Sequence, residues 1–215
     1  MTEQLQLDFD KIIKTSNISK KNIDSKRNHL KKFIESGFPN RKQEDWKFLD
    51  ISQIIKKNIK NLSFFNDYSL PNKIDSSIFV DGLEHNKIIF INGRIEKIDF
   101  SYEEKNNIEI NDEINTELTF ENKNSLIDLN NAFTNKVFKI IVKKNYSLKK
   151  PLIIYHTTNE KIKSKNINLR LDFELEQNSS LRLIDFFTDS ADKNFSNILY
   201  NFDLKKDSVL KNYKL

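Results

Sequence analysis

The chain has 215 residues, with 36 basic and 31 acidic side chains and a net charge of +5, and it contains no cysteine. This length allows one large domain or two small ones, with a sizeable core. The lack of cysteine excludes disulfide bonds, thiolate metal sites and a cysteine nucleophile from these residues. Three histidines, His29, His85 and His156, are far apart in sequence, and no two have metal-ligand spacing. We predict a surface position for His29 and a packed or surface position for His156, rather than roles as ligands.

The first third of the chain has the apolar spacing of helices. The start lacks a basic region followed by an apolar run, and no stretch of about 18 apolar residues occurs, which predicts a cytoplasmic protein without a membrane span. A short first helix is predicted around residues 5–13. From Ile23 to Ser36 the apolar residues keep i, i+3, i+4 spacing, and Gly37 supplies a left-handed stop. Asp50 caps a third helix, whose predicted buried stripe is Ile51, Ile54, Ile55 and Ile59.

The segment from Gly37 to Phe48 is the least average stretch of the chain. It contains the only tryptophan, and its Gly-x-Pro start forces the chain out of the preceding helix. It offers mixed charge but no nucleophile and no converging acid and base. We therefore predict a docking or packing motif, with Trp46 and Phe48 as anchors on a partner surface. The residues of this predicted docking motif are Gly37, Pro39, Arg41, Glu44, Trp46 and Lys47.

The middle of the chain changes from helical to strand periodicity. Asn92 and Gly93 lie between two apolar runs in residues 87–100, which is the strongest local signal of a β-hairpin. Residues 101–124 are rich in acidic side chains and asparagine and predict a solvated linker. Residues 129–133 predict a short connector or a helical turn.

Three similar stretches recur near the C-terminal end, at residues 142–148, 175–181 and 204–210. Each follows residues that alternate between apolar and polar, which is typical of a strand with one buried face. Each carries an Asn or Asp that predicts a tight turn, because these side chains tolerate a left-handed backbone. The three turn residues are Asn145, Asn178 and Asp207.

A unit of strand, turn and strand that repeats at about 30 residues predicts stacked units with a shared core. The predicted core columns are Phe138, Phe173 and Phe202, and Val142, Leu175 and Leu204. Long connections at 155–166 and 187–196 favour strands that wrap round as in a β-helix, with an antiparallel sandwich as the alternative. The predicted fold class is α+β. Its parts are an N-terminal helical region (1–62), a linker with a β-hairpin (63–128) and the first turns of an incomplete β-helix (129–215).

The order of these motifs resembles the SufB/SufD family, the scaffold subunits of the SUF iron–sulfur cluster assembly machinery. The resemblance covers residue 20 onward, and the segment 37–48 is more similar to SufD than to SufB. Its motifs are Gly37-Phe38-Pro39 with Arg41, Glu44-Asp45-Trp46-Lys47, Phe90-Ile91-Asn92-Gly93, Leu129-Asn130-Asn131-Ala132-Phe133 and the repeated strands.

The resemblance implies a right-handed parallel β-helix and a non-enzymatic scaffold within a SufBCD complex. The implied partners are a SufB-like subunit and a SufC-like ATPase, and the implied role is support of cluster assembly and iron acquisition. Family members are roughly twice as long, so the chain corresponds to their N-terminal half. We assign no cofactor, metal or cluster ligand to this half, because the complex as a whole handles the iron–sulfur cluster.

Two other functions are compatible with parts of the pattern. A β-helix often carries a carbohydrate-active enzyme, whose site needs clustered acids, and Asp172 and Glu174 are the candidates on one strand. A nucleic-acid-binding module fits the positive net charge. The even mixture of basic and acidic residues favours a solvated surface over both, and we predict neither a nucleic-acid partner nor a membrane partner.

Overall fold

The computed structural model describes residues 2–15, 18–59, 62–64, 73–113, 124–134, 136–189 and 193–215. Within these ranges it is an α+β structure with four α-helices and two five-stranded sheets. The helices are α1 (Thr2–Thr15), α2 (Lys20–Ser36), α3 (Ile51–Asn58) and α4 (Ser125–Phe133). The strands are β1 (Ser63–Phe64), β2 (Asn86–Ile91), β3 (Arg94–Asp99), β4 (Ile108–Glu113), β5 (Val137–Val142), β6 (Leu152–Thr158), β7 (Lys165–Leu175), β8 (Ser180–Asp189), β9 (Phe195–Leu204) and β10 (Val209–Lys214). None of the helices in the described residues has the length and apolar character that a membrane crossing requires.

The three predicted helices are confirmed, although α2 begins at Lys20 rather than at Ile23 and α1 is longer than predicted. The Gly37 backbone is left-handed (φ +68°), and its N–H donates to the Phe33 carbonyl at 2.7 Å, which ends α2 as the sequence indicates. Asp50 caps α3 by accepting a hydrogen bond from the Gln53 backbone N–H at 2.8 Å. Residues 129–133, predicted as a connector or a helical turn, are the last part of α4.

The helices share one apolar core, which also contains Phe38, Leu62 and Phe64. One predicted member of the α3 stripe is missing from it, because Ile54 is 43 % exposed while Ile55 and Ile59 are buried. Consecutive residues of a helix are about 100° apart around its axis, so Ile54 is turned away from the face that Ile55 presents to the core.

The strands of the repeat alternate between two sheets. In sheet A, β5, β7 and β9 pair in parallel, and in sheet B, β2, β6, β8 and β10 do so. The chain therefore passes from sheet A to sheet B three times and returns to sheet A twice between residues 137 and 214. Because the repeats pair in parallel, the antiparallel sandwich is the wrong alternative. The connections from sheet B to sheet A span residues 159–164 and 190–194, which are shorter than predicted.

Each sheet also carries one antiparallel strand from the middle of the chain. The predicted hairpin at Asn92-Gly93 is confirmed as β2 and β3, with positive φ at both turn residues. The interpretation of 101–124 as a solvated linker is wrong for 108–113, since β4 pairs with β5. The acidic composition hid this strand because Glu109, Asn111 and Asp112 are exposed while Ile108 and Ile110 pack against the core between the sheets.

The register of sheet A places one predicted column correctly and shifts one residue of the other. Val142 pairs with Leu175 and Leu175 with Leu204, as predicted. Phe173 pairs with Phe202, but its partner on β5 is Ile140 rather than Phe138. Phe138 pairs with Leu171, two residues along the same inward face, and packs against the same core between the sheets.

The three predicted turn residues have the expected backbone conformation, with φ of +61° at Asn145, +58° at Asn178 and +58° at Asp207. The turns also stack on one another. The Asn178 side-chain amide donates to Asn145 Oδ1 at 2.9 Å, and the Asn145 backbone N–H donates to the Gln177 carbonyl at 2.9 Å. Each turn thus fixes the position of the next.

Substitution of Asn178 tests this turn. We expect Asn178→Ala to be less stable than Asn178→Gly by about 1 kcal/mol, because a Cβ is unfavourable in the left-handed region and glycine is not. The free energy of unfolding in urea measures the difference. At the exposed helical residue Asn28 the order should be reversed, with alanine the more stable by about 1 kcal/mol. Equal stability of the two Asn178 variants would contradict a left-handed backbone at residue 178.

Strands β9 and β10 each pair on one side only among the described residues. Near this edge Leu204, Val209 and Tyr213 are about half exposed. Unpaired edges with exposed apolar side chains promote pairing between chains. We expect the isolated chain to self-associate at micromolar concentrations, and Val209→Lys to reduce this association by placing a charge on the edge. Static light scattering measures the association of the wild-type chain and of the variant. A stable wild-type monomer would contradict the prediction.

Candidate functional site

The predicted docking motif is held to the fold by its first three residues. Phe38 is 3 % exposed, and its ring meets Phe33 of α2 edge-on at 5.0 Å and Phe195 of β9 at 5.9 Å. Pro39 is also buried, and its carbonyl accepts from the Ser52 backbone N–H of α3 at 3.4 Å. The start of the segment is therefore fixed between two helices and sheet A.

The rest of the motif lies on the surface. Arg41, Glu44 and Lys47 are exposed, and Trp46 is half-buried within a short 3-10 helix, Glu44–Trp46. Phe48 is 86 % exposed, with the Lys47 ammonium 5.0 Å from the centre of its ring. The structure thus divides the predicted docking motif into a buried anchor, Gly37 to Pro39, and an exposed part, Arg41 to Lys47.

Exposed apolar side chains continue past this segment. Leu49 and Ile54, one and six residues after Phe48, are each 43 % exposed. Backbone hydrogen bonds hold the segment in place, since Trp46 N–H donates to the Gln43 carbonyl at 2.9 Å and Leu49 N–H donates to the Trp46 carbonyl at 2.8 Å. An ordered loop with an exposed aromatic ring is suited to protein binding rather than to catalysis. We call Phe48, Leu49 and Ile54 the exposed apolar patch.

The histidines are used in three different ways. His29 is half-buried rather than fully on the surface, and its Nδ1 lies 2.7 Å from Asp128 Oδ1, a contact that joins α2 to α4. His85 is buried, with Nδ1 2.6 Å from the Leu83 carbonyl and Nε2 2.8 Å from the Tyr155 hydroxyl. Among the described residues, no three His, Asp or Glu side chains are grouped to hold a metal ion.

His156 is packed between the two sheets, which the sequence analysis allowed. On sheet B it stands between Phe90 and Phe187, with ring centres 5.5 Å and 4.8 Å away and planes within 16° of parallel. Its Nε2 lies 2.7 Å from the Tyr200 hydroxyl on sheet A. The Tyr200 O–H donates a hydrogen bond to Asp185 Oδ1, and Asp185 is fully buried. These groups form a hydrogen-bonded chain across the core.

Burial shifts the pKa values of two groups in this hydrogen-bonded chain, His156 and Tyr200. It lowers the pKa of His156, although the Asp185 carboxyl group offsets part of the effect. Burial, and then the nearby Asp185, raise the pKa of Tyr200 far above its ordinary value. His156 is therefore neutral and Tyr200 keeps its proton at neutral pH. A proton on His156 Nε2 then points at the Tyr200 oxygen, because the Tyr200 O–H already donates its hydrogen bond to Asp185.

A cavity of about 260 Å³ lies beside His156, between the two sheets. Sheet B contributes Phe90, His156 and Thr188 to its wall, and sheet A contributes Ile167 and Leu169. The cavity is at the end of the sheets where the chain crosses from sheet B to sheet A, opposite the turns at Asn145, Asn178 and Asp207.

Sequence reasoning did not find Asp185 or Tyr200. A usable signal was present in β8, where alternate residues Leu181, Leu183 and Asp185 face the interior. A carboxyl group at an inward position of an otherwise apolar face marks a buried polar site. Tyr200 had no comparable signal, because tyrosine is common in strands with one apolar face.

A second buried charge fixes α4 to α2. Lys26 is 3 % exposed, and its ammonium donates to the carbonyls of Asn131 at 3.3 Å, Ala132 at 3.5 Å and Thr134. A cation is favourable at the carbonyl end of a helix. Burial nevertheless lowers the pKa of Lys26 to about 8.

Lys26→Met tests this contact and its pH dependence. At pH 7 we expect a loss of about 1–3 kcal/mol, because buried carbonyls lose their donor. The unfolded chain keeps the lysine proton up to about pH 10.5, and the folded protein only to about pH 8. Wild-type stability relative to the variant therefore rises above pH 8, by at most about 1.4 kcal/mol per pH unit.

Urea unfolding of both proteins at pH 7, 8, 9 and 9.5 measures the gap. The exposed Lys32→Met variant supplies the background from the other titrating groups. A gap that stays constant or narrows above pH 8 would show that the pKa of Lys26 is not lowered by folding.

A comparison with models of known protein families gave no match, and a search of the curated proteins gave none either.

Proposed function

We propose that the chain is a scaffold subunit of iron–sulfur cluster assembly, similar to the SufD branch of the SufB/SufD family, and that it acts through protein–protein interaction. The observation that carries the proposal is the path of β5 to β10. These strands alternate between the two sheets, pair in parallel within each sheet, and lie beside a layer of helices. We propose that this path is a right-handed parallel β-helix. The resemblance in the sequence implies the same arrangement of a helical region followed by such a coil.

A β-helix is a suitable scaffold. Each of its layers contacts mainly the neighbouring layers, and the stacked layers therefore offer extended sheet surfaces to partners. The helical layer adds the exposed apolar patch, with Phe48 and Leu49 on the ordered segment that follows the buried Phe38 and with Ile54 in α3. Exposed aromatic rings next to charged side chains are frequent at the centres of binding surfaces. We propose that the SufC-like ATPase and the SufB-like subunit are the partners.

The chemistry of the described side chains supports a binding role over a carbohydrate-active one. The two candidate acids of β7 are both engaged in ion pairs, Asp172 with Arg170 at 2.7 Å and Glu174 with Lys139 at 2.9 Å. An acid that protonates or attacks a sugar needs access to the substrate. We propose no catalytic residue and no cluster ligand in this chain, and the complex as a whole handles the cluster. The proposed location is the cytoplasm.

The test is co-purification of the tagged chain with its SufB-like and SufC-like candidates from the same source. We expect the wild-type chain to retain at least one of them. Phe48→Ser should reduce that retention at least tenfold, because the ring is exposed and free to contribute to a partner interface. Its free energy of unfolding should stay within about 0.5 kcal/mol of the wild type.

Leu83→Ser is the matched control, since Leu83 is similarly apolar and 42 % exposed but lies outside the docking motif. It should leave retention unchanged. Capture of neither partner by the wild-type chain would overturn the proposed function. Capture that Phe48→Ser leaves intact would keep the scaffold proposal and remove the docking role of this segment.

A further inference from the structure

The cavity beside His156 has features of a binding site that a packed coil does not need. Protein interiors are packed closely and leave few voids larger than a water molecule. This space of 260 Å³ corresponds to about nine water volumes, so a single water does not fill it. Phe187 is 45 % exposed and Ser196 is exposed, and both belong to the wall, so the cavity reaches the surface there.

The wall is apolar and neutral in the described residues. Phe90, Ile167, Leu169, Phe195 and Ile198 supply its apolar surface. The polar wall groups are uncharged, namely threonine, serine and asparagine side chains together with His156, whose burial keeps it neutral. A wall of this kind gives no counter-charge to an ion, and binding an ion in it would cost its hydration. A neutral, partly apolar molecule is the appropriate occupant.

His156 offers this occupant a hydrogen-bond acceptor. Its Nε2–H donates to the Tyr200 oxygen, because the Tyr200 O–H donates its hydrogen bond to Asp185. In a neutral imidazole with a proton on Nε2, Nδ1 carries a lone pair. Phe90 and Phe187 stack on the two faces of the ring and hold its orientation.

We propose that this cavity binds a small neutral molecule with an apolar ring and one O–H or N–H donor, and that His156 accepts the hydrogen bond from this donor. Asp185 and Tyr200 are positioning residues in this site. They fix the tautomer and orientation of His156 through the hydrogen-bonded chain. The proposal does not depend on the scaffold function, since the cavity lies between the sheets and the exposed apolar patch lies on the helical layer.

Phenol and anisole form a matched pair of probes for this site. The two share a ring of the same size, but only phenol has a donor. A buried acceptor left without its donor makes binding of the analogue unfavourable. We expect the full chain to bind phenol at least tenfold more tightly than anisole, as measured by titration calorimetry or by ligand-detected NMR.

His156→Phe keeps a flat ring in the stack and removes the acceptor. We expect it to lose the preference for phenol and to bind the two probes with similar affinity. His29→Phe is the control, because it removes a histidine far from the cavity and should leave the preference intact. If the His156 variant does not fold, the wild-type comparison alone decides. No binding of phenol, or equal binding of phenol and anisole by the wild-type chain, would overturn the proposal.

Discussion

The parallel register of the strands depends on one repeated constraint, a left-handed residue at the same place in each layer. Asn145, Asn178 and Asp207 all adopt this conformation, with φ near +60°. Because the turns hydrogen-bond to each other, a shift of one residue in any strand would separate them. The same shift would move the inward face of that strand to the outside. Turn chemistry and the apolar pattern therefore specify the same register independently, which is the agreement that favours a single fold.

Sheet A takes part in both hydrophobic cores. Its inward face packs against sheet B, and α4 is fastened to its outer face by Asn130, whose amide donates to the carbonyls of Leu169 at 3.0 Å and Asn197 at 2.8 Å. The helical core extends to the first residue of β9 through the contact of Phe38 with Phe195. The exposed loop that follows Phe38 is thus fixed relative to both layers, so a partner that binds it would also be oriented with respect to the two sheets.

What the sequence predicted well is local. The stop at Gly37, the cap at Asp50, the hairpin at Asn92 and the three turns each depend on a few neighbouring residues. What it missed depends on distant partners. Strand β4 pairs with β5, but its acidic side chains are typical of a solvated linker. His29 contacts Asp128, which lies 99 residues later in the sequence. For the site, the sequence identified the exposed segment by its unusual composition. The hydrogen-bonded chain of His156 was not predictable, because its members come from three strands in two sheets.

The position of Asp185 indicates that the core between the two sheets is shaped by more than stability. Leu181 and Leu183 occupy the preceding inward positions of β8, and another leucine at 185 would continue their packing. The carboxyl group instead has one oxygen bonded to Tyr200 and the other without a partner among the described residues. A buried unsatisfied polar atom costs about 1–3 kcal/mol, whereas an apolar replacement of a buried polar cluster is often neutral or stabilising. Exceptions to the packing rules concentrate at functional sites. A function for the hydrogen-bonded chain would account for the unfavourable burial of the Asp185 carboxyl group. The chain ends at His156, which is part of the wall of the cavity.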